Sequence, residues 1–122
     1  MLLDTYAWVE FFRGTKKGEM VKEILKSQCF TCAISLAELN EWCHREKLRS
    51  HKYLKMVKEL SIIIVPDEAI YELAGRINFL QKKRVKGWGM VDSLILTTAK
   101  IYGLTIVTGD KHFKNIKNVV MM

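Results

Sequence analysis

Four carboxylates in this chain sit where chemistry is possible. Asp4 closes the apolar run MLLD, Glu38 lies in SLAELNE, Asp92 opens VDSLIL, and Asp110 follows the apolar run of TIVTGDKHF. Each has an ordinary structural reading. Asp4 and Asp110 are placed to cap helices by accepting an orphan backbone N–H. Ser35 and Glu38 match the S-x-x-E capping box. Asp92 falls in the first turn of a helix, where a carboxylate complements the dipole. Taken together, the four acids point elsewhere. Crowded carboxylates repel and raise one another's pKa unless a cation neutralises them. Hard divalent ions such as Mg²⁺ and Mn²⁺ prefer oxygen ligands. One or two such ions can activate a water and stabilise the leaving oxygen in phosphodiester cleavage.

Whether the acids meet depends on the elements that carry them. MLLD reads as a short strand, 5–12 as a helix ending near Gly14, and 16–27 as a second helix. CFTCAI is a strand, followed by helices over 36–47 and 51–60 that suggest an α-hairpin on one side. IIIV is β-branched throughout, as in a strand covered on both faces. Pro66 and Asp67 start a helix to about Gln81. Residues 91–102 give the clearest helical spacing, with Val91, Leu94, Ile95, Thr98, Ala99 and Tyr102 on one stripe. LTIVT is a strand, 111–115 a helical turn, and NVVMM a last edge strand. Strands alternating with helices predict an α/β fold with a mainly parallel sheet and helices on both faces. Ligands of such sheets bind beyond the carboxyl ends of the strands. All four acids are expected on that edge.

The 122 residues suit a single domain over 1–122. Apolar residues make up 49 %, enough for a real core, and the single proline argues against long disorder. A net charge of +7 biases partners toward polyanions, nucleic acid first. No apolar run approaches the roughly 20 residues of a membrane span, and the opening MLLDTYAWVEFF does not read as a signal peptide. Three cysteines without a secreted framework suit a reducing cytoplasm. Cys29 and Cys32 form a C-x-x-C, but on a strand they point to opposite faces, as small buried hydrophobes rather than zinc ligands.

These blocks carry a family likeness. MLLDTYAWVEFFRG, SLAELNE and VDSLILTTAKIYGLTIVTGDKHFKNI stand in an order and spacing that resembles PIN-domain ribonucleases, and among them the VapC-like toxins of toxin–antitoxin pairs. The resemblance implies a three-layer α/β/α sandwich around a mainly parallel sheet of four or five strands. It also implies metal-dependent endonucleolytic cleavage of RNA with Mg²⁺ or Mn²⁺, in which no Ser, Cys or His nucleophile is required. Asp4, Glu38 and Asp92 correspond to metal-binding acids, Asp110 to a fourth and more variable one, and Thr108 to a supporting hydroxyl. A homodimer and a cognate antitoxin are the implied protein partners. The chain departs from the family at His112, where another acid is common, and at Ser93, Thr97 and Thr98, where small residues are common.

KKRVKGWG, just before Asp92, should border the acidic edge. Lys82, Lys83, Arg84 and Lys86 are placed to grip phosphates, and Trp88 either stacks on a base or docks into the core. Trp8, Phe11, Phe12, Trp42 and Tyr53 are either a groove for a partner or simple core. Two enzyme classes are excluded. A haloacid-dehalogenase-type transferase needs an acid at position 6, which is Tyr6, and a response-regulator receiver needs an acid pair at the first strand. No Gly-rich phosphate loop of P-loop form is present. The remaining alternatives are a non-cleaving PIN-like binding module and a housekeeping RNA-processing nuclease.

Overall fold

The computed structural model describes residues 1–122. Five short strands form the sheet: β1 (Leu2–Leu3), β2 (Phe30–Cys32), β3 (Ile62–Ile64), β4 (Ile106–Thr108) and β5 (Val119–Met121). Their order is β3-β2-β1-β4-β5, and every pairing is parallel. The chain therefore builds outward from β1 in one direction, then returns to the other side of β1 for β4. That reversal makes the β1/β4 seam a topological switch point, where open α/β sheets bind ligands.

Helices α1 (Thr5–Arg13), α2 (Lys16–Ile24), α3 (Ile34–Arg45), α4 (Ser50–Leu60), α5 (Glu68–Gln81) and α6 (Met90–Tyr102) connect the strands. Strand alternation splits the core in two. Leu3 and Val107 face Ala7, Trp8, Val21, Leu39 and Trp42 on the α1–α4 side. Leu2 and Ile106 face Ile95, Leu96, Ala99 and Phe113 on the α6 side. Cys29 lies in the first core and Cys32 in the second, so the C-x-x-C is divided by the sheet. On the α1–α4 side, Phe12 stacks between Trp8 and Trp42, with centroids 5.7 and 6.3 Å away, and meets Tyr53 edge-on at 4.9 Å. Trp8 is sealed, whereas Phe11, Phe12 and Tyr53 are half-buried, so this aromatic group is core with an open rim.

Three features differ from the sequence expectation. Helix α3 begins at Ile34, not 36, because the Ala33 N–H donates to the Ile64 carbonyl at 2.8 Å and the strand turns straight into helix. Ser35 is thereby inside the helix with its hydroxyl buried and unpartnered, and the expected Ser35–Glu38 capping box does not form. Strand β3, whose composition suits cover on both faces, is instead the sheet's edge, and Ile62 is 46 % exposed. Helix α2 stops at Ile24, three residues short of the expected end, where the Lys26 and Ser27 N–H groups turn back to the Glu23 and Ile24 carbonyls.

Candidate active site

Asp4, Asp92 and Asp110 are held by hydrogen bonds at the start of a helical element, and Glu38 is held one turn into α3. Asp4 caps α1: Oδ1 accepts the Ala7 N–H at 3.0 Å, and Oδ2 accepts the Thr108 hydroxyl from the neighbouring strand end. Thr108 Oγ1 also accepts the Asp110 N–H at 2.9 Å, so one hydroxyl fixes two acids across the β1/β4 seam. Asp110 in turn accepts the His112 N–H at 2.9 Å and caps the 3₁₀ turn Lys111–Phe113. Asp92 accepts the Gly89 N–H at 3.1 Å at the start of α6. Glu38, released from Ser35, accepts the Thr5 hydroxyl at 2.5 Å.

The acids act on one another through their charges. Burial pushes the Asp4 carboxyl from its ordinary 3.8 up to about 7, against the Thr108 and Ala7 hydrogen bonds that lower it, and the Asp110 and Glu38 charges add to the rise. Burial likewise raises Glu38, opposed by the Thr5 hydroxyl and assisted by Asp92, Glu41 and Asp110. No cationic side chain enters either balance. A buried carboxylate repelled by its neighbours is the state that a bound cation relieves. The donor set is therefore chemically suited to a hard divalent ion.

Sequence spacing undervalues two residues. His112, a departure from the family pattern, turns Nδ1 to within 3.1 Å of Asp92 Oδ2 and 3.6 Å of Asp110 Oδ1. One donor atom each from Asp92, Asp110 and His112 lie within 4.8 Å of one another, near enough to share an ion. The ring rests beside Gly87, where φ is +83° and an added Cβ would stand 3.1 Å from Nε2. Thr5, the partner of Glu38, is 33 positions away and leaves no local signal. Close packing supports the seam as well. A Cβ on Gly109 would lie 2.2 Å from the Tyr6 ring, so a larger residue between Thr108 and Asp110 would have to displace that ring.

The basic segment divides. Arg84 and Lys86 line a cleft that begins at His112. Lys82 faces solvent, and Lys83 sits over the Phe79 ring at 4.1 Å. Trp88 is core rather than a base platform. It is 3 % exposed, its ring lies 5.1 Å from Phe113, and Nε1 donates to Ser93 Oγ at 2.7 Å. Ser93 passes the bond on to Asn78 Oδ1 at 2.9 Å. The loop folds inward because the second core needs that indole to fill it.

The PIN domain family matches residues 1–119, and the chain belongs to it. No curated protein matches the chain in sequence. Among solved structures, a toxin–antitoxin complex from Klebsiella pneumoniae matches with a TM-score of 0.81 at 22 % identity, over 98 % of this chain and 95 % of that one. VapC20 of Mycobacterium tuberculosis, a Sarcin-Ricin loop cleaving toxin, matches with a TM-score of 0.78 at 14 % identity, over 95 % and 94 %. FitAcB from Neisseria gonorrhoeae matches with a TM-score of 0.63 at 26 % identity, over 91 % and 88 %. These likenesses define the fold. No helix of the chain is long and apolar enough to cross a membrane.

Proposed function

We propose that this chain is a metal-dependent endoribonuclease and the toxin of a toxin–antitoxin pair. The observation that carries the reading is the Asp4 carboxyl, buried at the β1/β4 seam, hydrogen-bonded to Thr108 across it, and raised to about 7 by burial and by the charges of Asp110 and Glu38. A divalent ion, Mg²⁺ or Mn²⁺, bound there would supply positive charge to the scissile phosphate and acidify a water. Asp4, Glu38, Asp92 and Asp110 would hold it, and His112 Nδ1 would offer one further donor. Thr108 keeps Asp4 Oδ2 and the Asp110 backbone in register. Thr5 steers Glu38 toward the cluster. Burial of Asp4 lowers the local dielectric, which strengthens every charge interaction at the site.

Solved relatives described as toxin–antitoxin complexes support a cognate antitoxin as partner. The half-buried rim of Phe11, Phe12 and Tyr53 is the surface we assign to protein contact, with an antitoxin or a second copy. Three free, buried cysteines suit a reducing compartment. The test is cleavage of an RNA substrate by wild type, Asp4→Asn and Asp92→Asn in Mg²⁺, Mn²⁺ and EDTA. Cleavage by wild type alone, and only with metal, is expected. Equal rates in all three proteins would overturn the assignment.

A further inference from the structure

A cleft of about 1080 Å³ starts at His112 and runs between the C-terminal turns of α5 and α6 and the 111–118 segment. Arg84, Lys86, Lys100, Lys111, Lys114 and Lys117 all line it, and no Asp or Glu does, in a chain that holds 13 of them. All six cations are exposed, and none is ion-paired. What sets the cleft apart is that six cations share one concave wall with no carboxylate on it, whereas Lys26, Arg45 and Lys55 each have a carboxylate within 4.0 Å. The floor is aliphatic, with Leu80, Val85, Leu96, Leu104, Ile106 and Ile116 along it.

We infer that this cleft is the track for the single strand of RNA flanking the cut, a reading that rests on the nuclease assignment. Unpaired cations spaced along one concave wall fit a chain of phosphates and release its counterions on contact. Focused positive potential within a cleft also raises the local concentration of a polyanion. The aliphatic floor selects the single strand. A duplex keeps its bases stacked inside, whereas a splayed strand offers base faces that the floor can cover. Continuity with the acids at His112 lets one strand bind the track and place its next phosphate at the cluster. Four of the six cations, Lys100, Lys111, Lys114 and Lys117, lie outside the basic run 82–86. The folded chain gathers the six from three separate stretches.

The test measures binding without cutting. A fluorescein-labelled oligouridine of roughly 12 nucleotides is titrated in EDTA, by anisotropy, across about 50–200 mM KCl. The triple variant Lys100→Gln/Lys114→Gln/Lys117→Gln replaces only exposed side chains and is checked for an unchanged thermal melt. Its affinity should fall about tenfold or more, and the slope of log K against log salt should flatten by about 2. The control Lys52→Gln/Lys55→Gln/Lys58→Gln, on α4, should change neither. Unchanged affinity and slope in the cleft variant would overturn the track. So would an RNA duplex that competes as well as the single strand. A third overturning result is loss of binding to an oligoglutamate peptide while RNA binding is kept, because the cleft would then serve an acidic protein segment. Failure of wild type to cleave with Mn²⁺ would remove the nuclease assignment and with it the cut that the track flanks, whereas the binding comparison separately decides whether the cleft holds a single strand.

Discussion

The acidic cluster and the basic cleft meet at His112, yet they are built on opposite principles. In the cluster, Asp4, Glu38, Asp92 and Asp110 each accept a named hydrogen bond, and Asp4 is 5 % exposed. In the cleft, the six cations are exposed and unpaired. Burying a carboxylate among carboxylates is costly, and the fold bears that cost only where position matters. Exposed lysines cost little and tolerate movement, which suits a ligand held by charge rather than by register. The proposed chemistry is therefore assigned to the hydrogen-bonded seam, and the proposed grip to exposed side chains.

The largest expected effects test the acidic half. Asp4→Asn and Asp92→Asn should each lower metal-dependent cleavage by about a hundredfold or more, while oligouridine affinity in EDTA stays the same or rises. A variant that loses cleavage and binding together would break the division between the two regions. Next comes stability. The folded Asp4 carboxyl keeps its proton up to about 7, whereas in the unfolded chain it ionises near 3.8. The folded state thus binds more protons between these values, and metal-free stability should be full below pH ~4 and fall as pH rises through about 7. The shift corresponds to a loss of about 4 kcal/mol, with Glu38 contributing in the same direction. Thermal melts in EDTA from pH 5 to 8 should show the fall, Asp4→Asn should flatten it, and Mn²⁺ should restore stability at the alkaline end.

A third measurement separates core from cleft. Trp88→Phe breaks the bond to Ser93 and should cost about 1–3 kcal/mol in denaturant unfolding, with oligouridine affinity unchanged. Weaker RNA binding by this variant at intact stability would return the indole to the binding surface. The smallest effect concerns His112, where the two regions join. Imidazole nitrogen favours transition metals over Mg²⁺, so His112→Asp should move the ratio of Mn²⁺ to Mg²⁺ affinity toward Mg²⁺ by about threefold to tenfold. Calorimetry of the two ions reads this directly, and an unchanged ratio would take His112 out of the donor set.

Much of the seam is legible in the sequence because its signals are local. Asp4 and Asp110 each come at the end of an apolar run and cap the next helical turn, and Asp92 opens the most regular helix. For Glu38 the local signal gives the right position and the wrong partner. The S-x-x-E spacing is satisfied, but β2 and β3 remain bonded up to Ala33, so the helix starts early and Ser35 falls inside it. The real partner, Thr5, comes from another element. His112 reads as a missing acid when only oxygen donors are sought. The cleft is half visible in 82–86, and its other cations become neighbours only through the packing of α5, α6 and the 111–118 segment. A mixed basic and aromatic run does not decide Trp88, because the deciding contact is the space beside Phe113.

The Thr108 hydroxyl bond to Asp4 spans 104 positions, and β1 lies between β2 and β4 in the sheet. Ribosomes make proteins in one direction, so Asp4 emerges long before the strand that completes its surroundings. A nascent chain that has reached Tyr102 already carries Asp4, Glu38 and Asp92, yet it lacks Thr108, Asp110 and the pairing strand β4. Such an intermediate holds three of the four acids without the seam that aligns them. The order of synthesis thus delays assembly of the acidic cluster until translation of the fold is nearly finished.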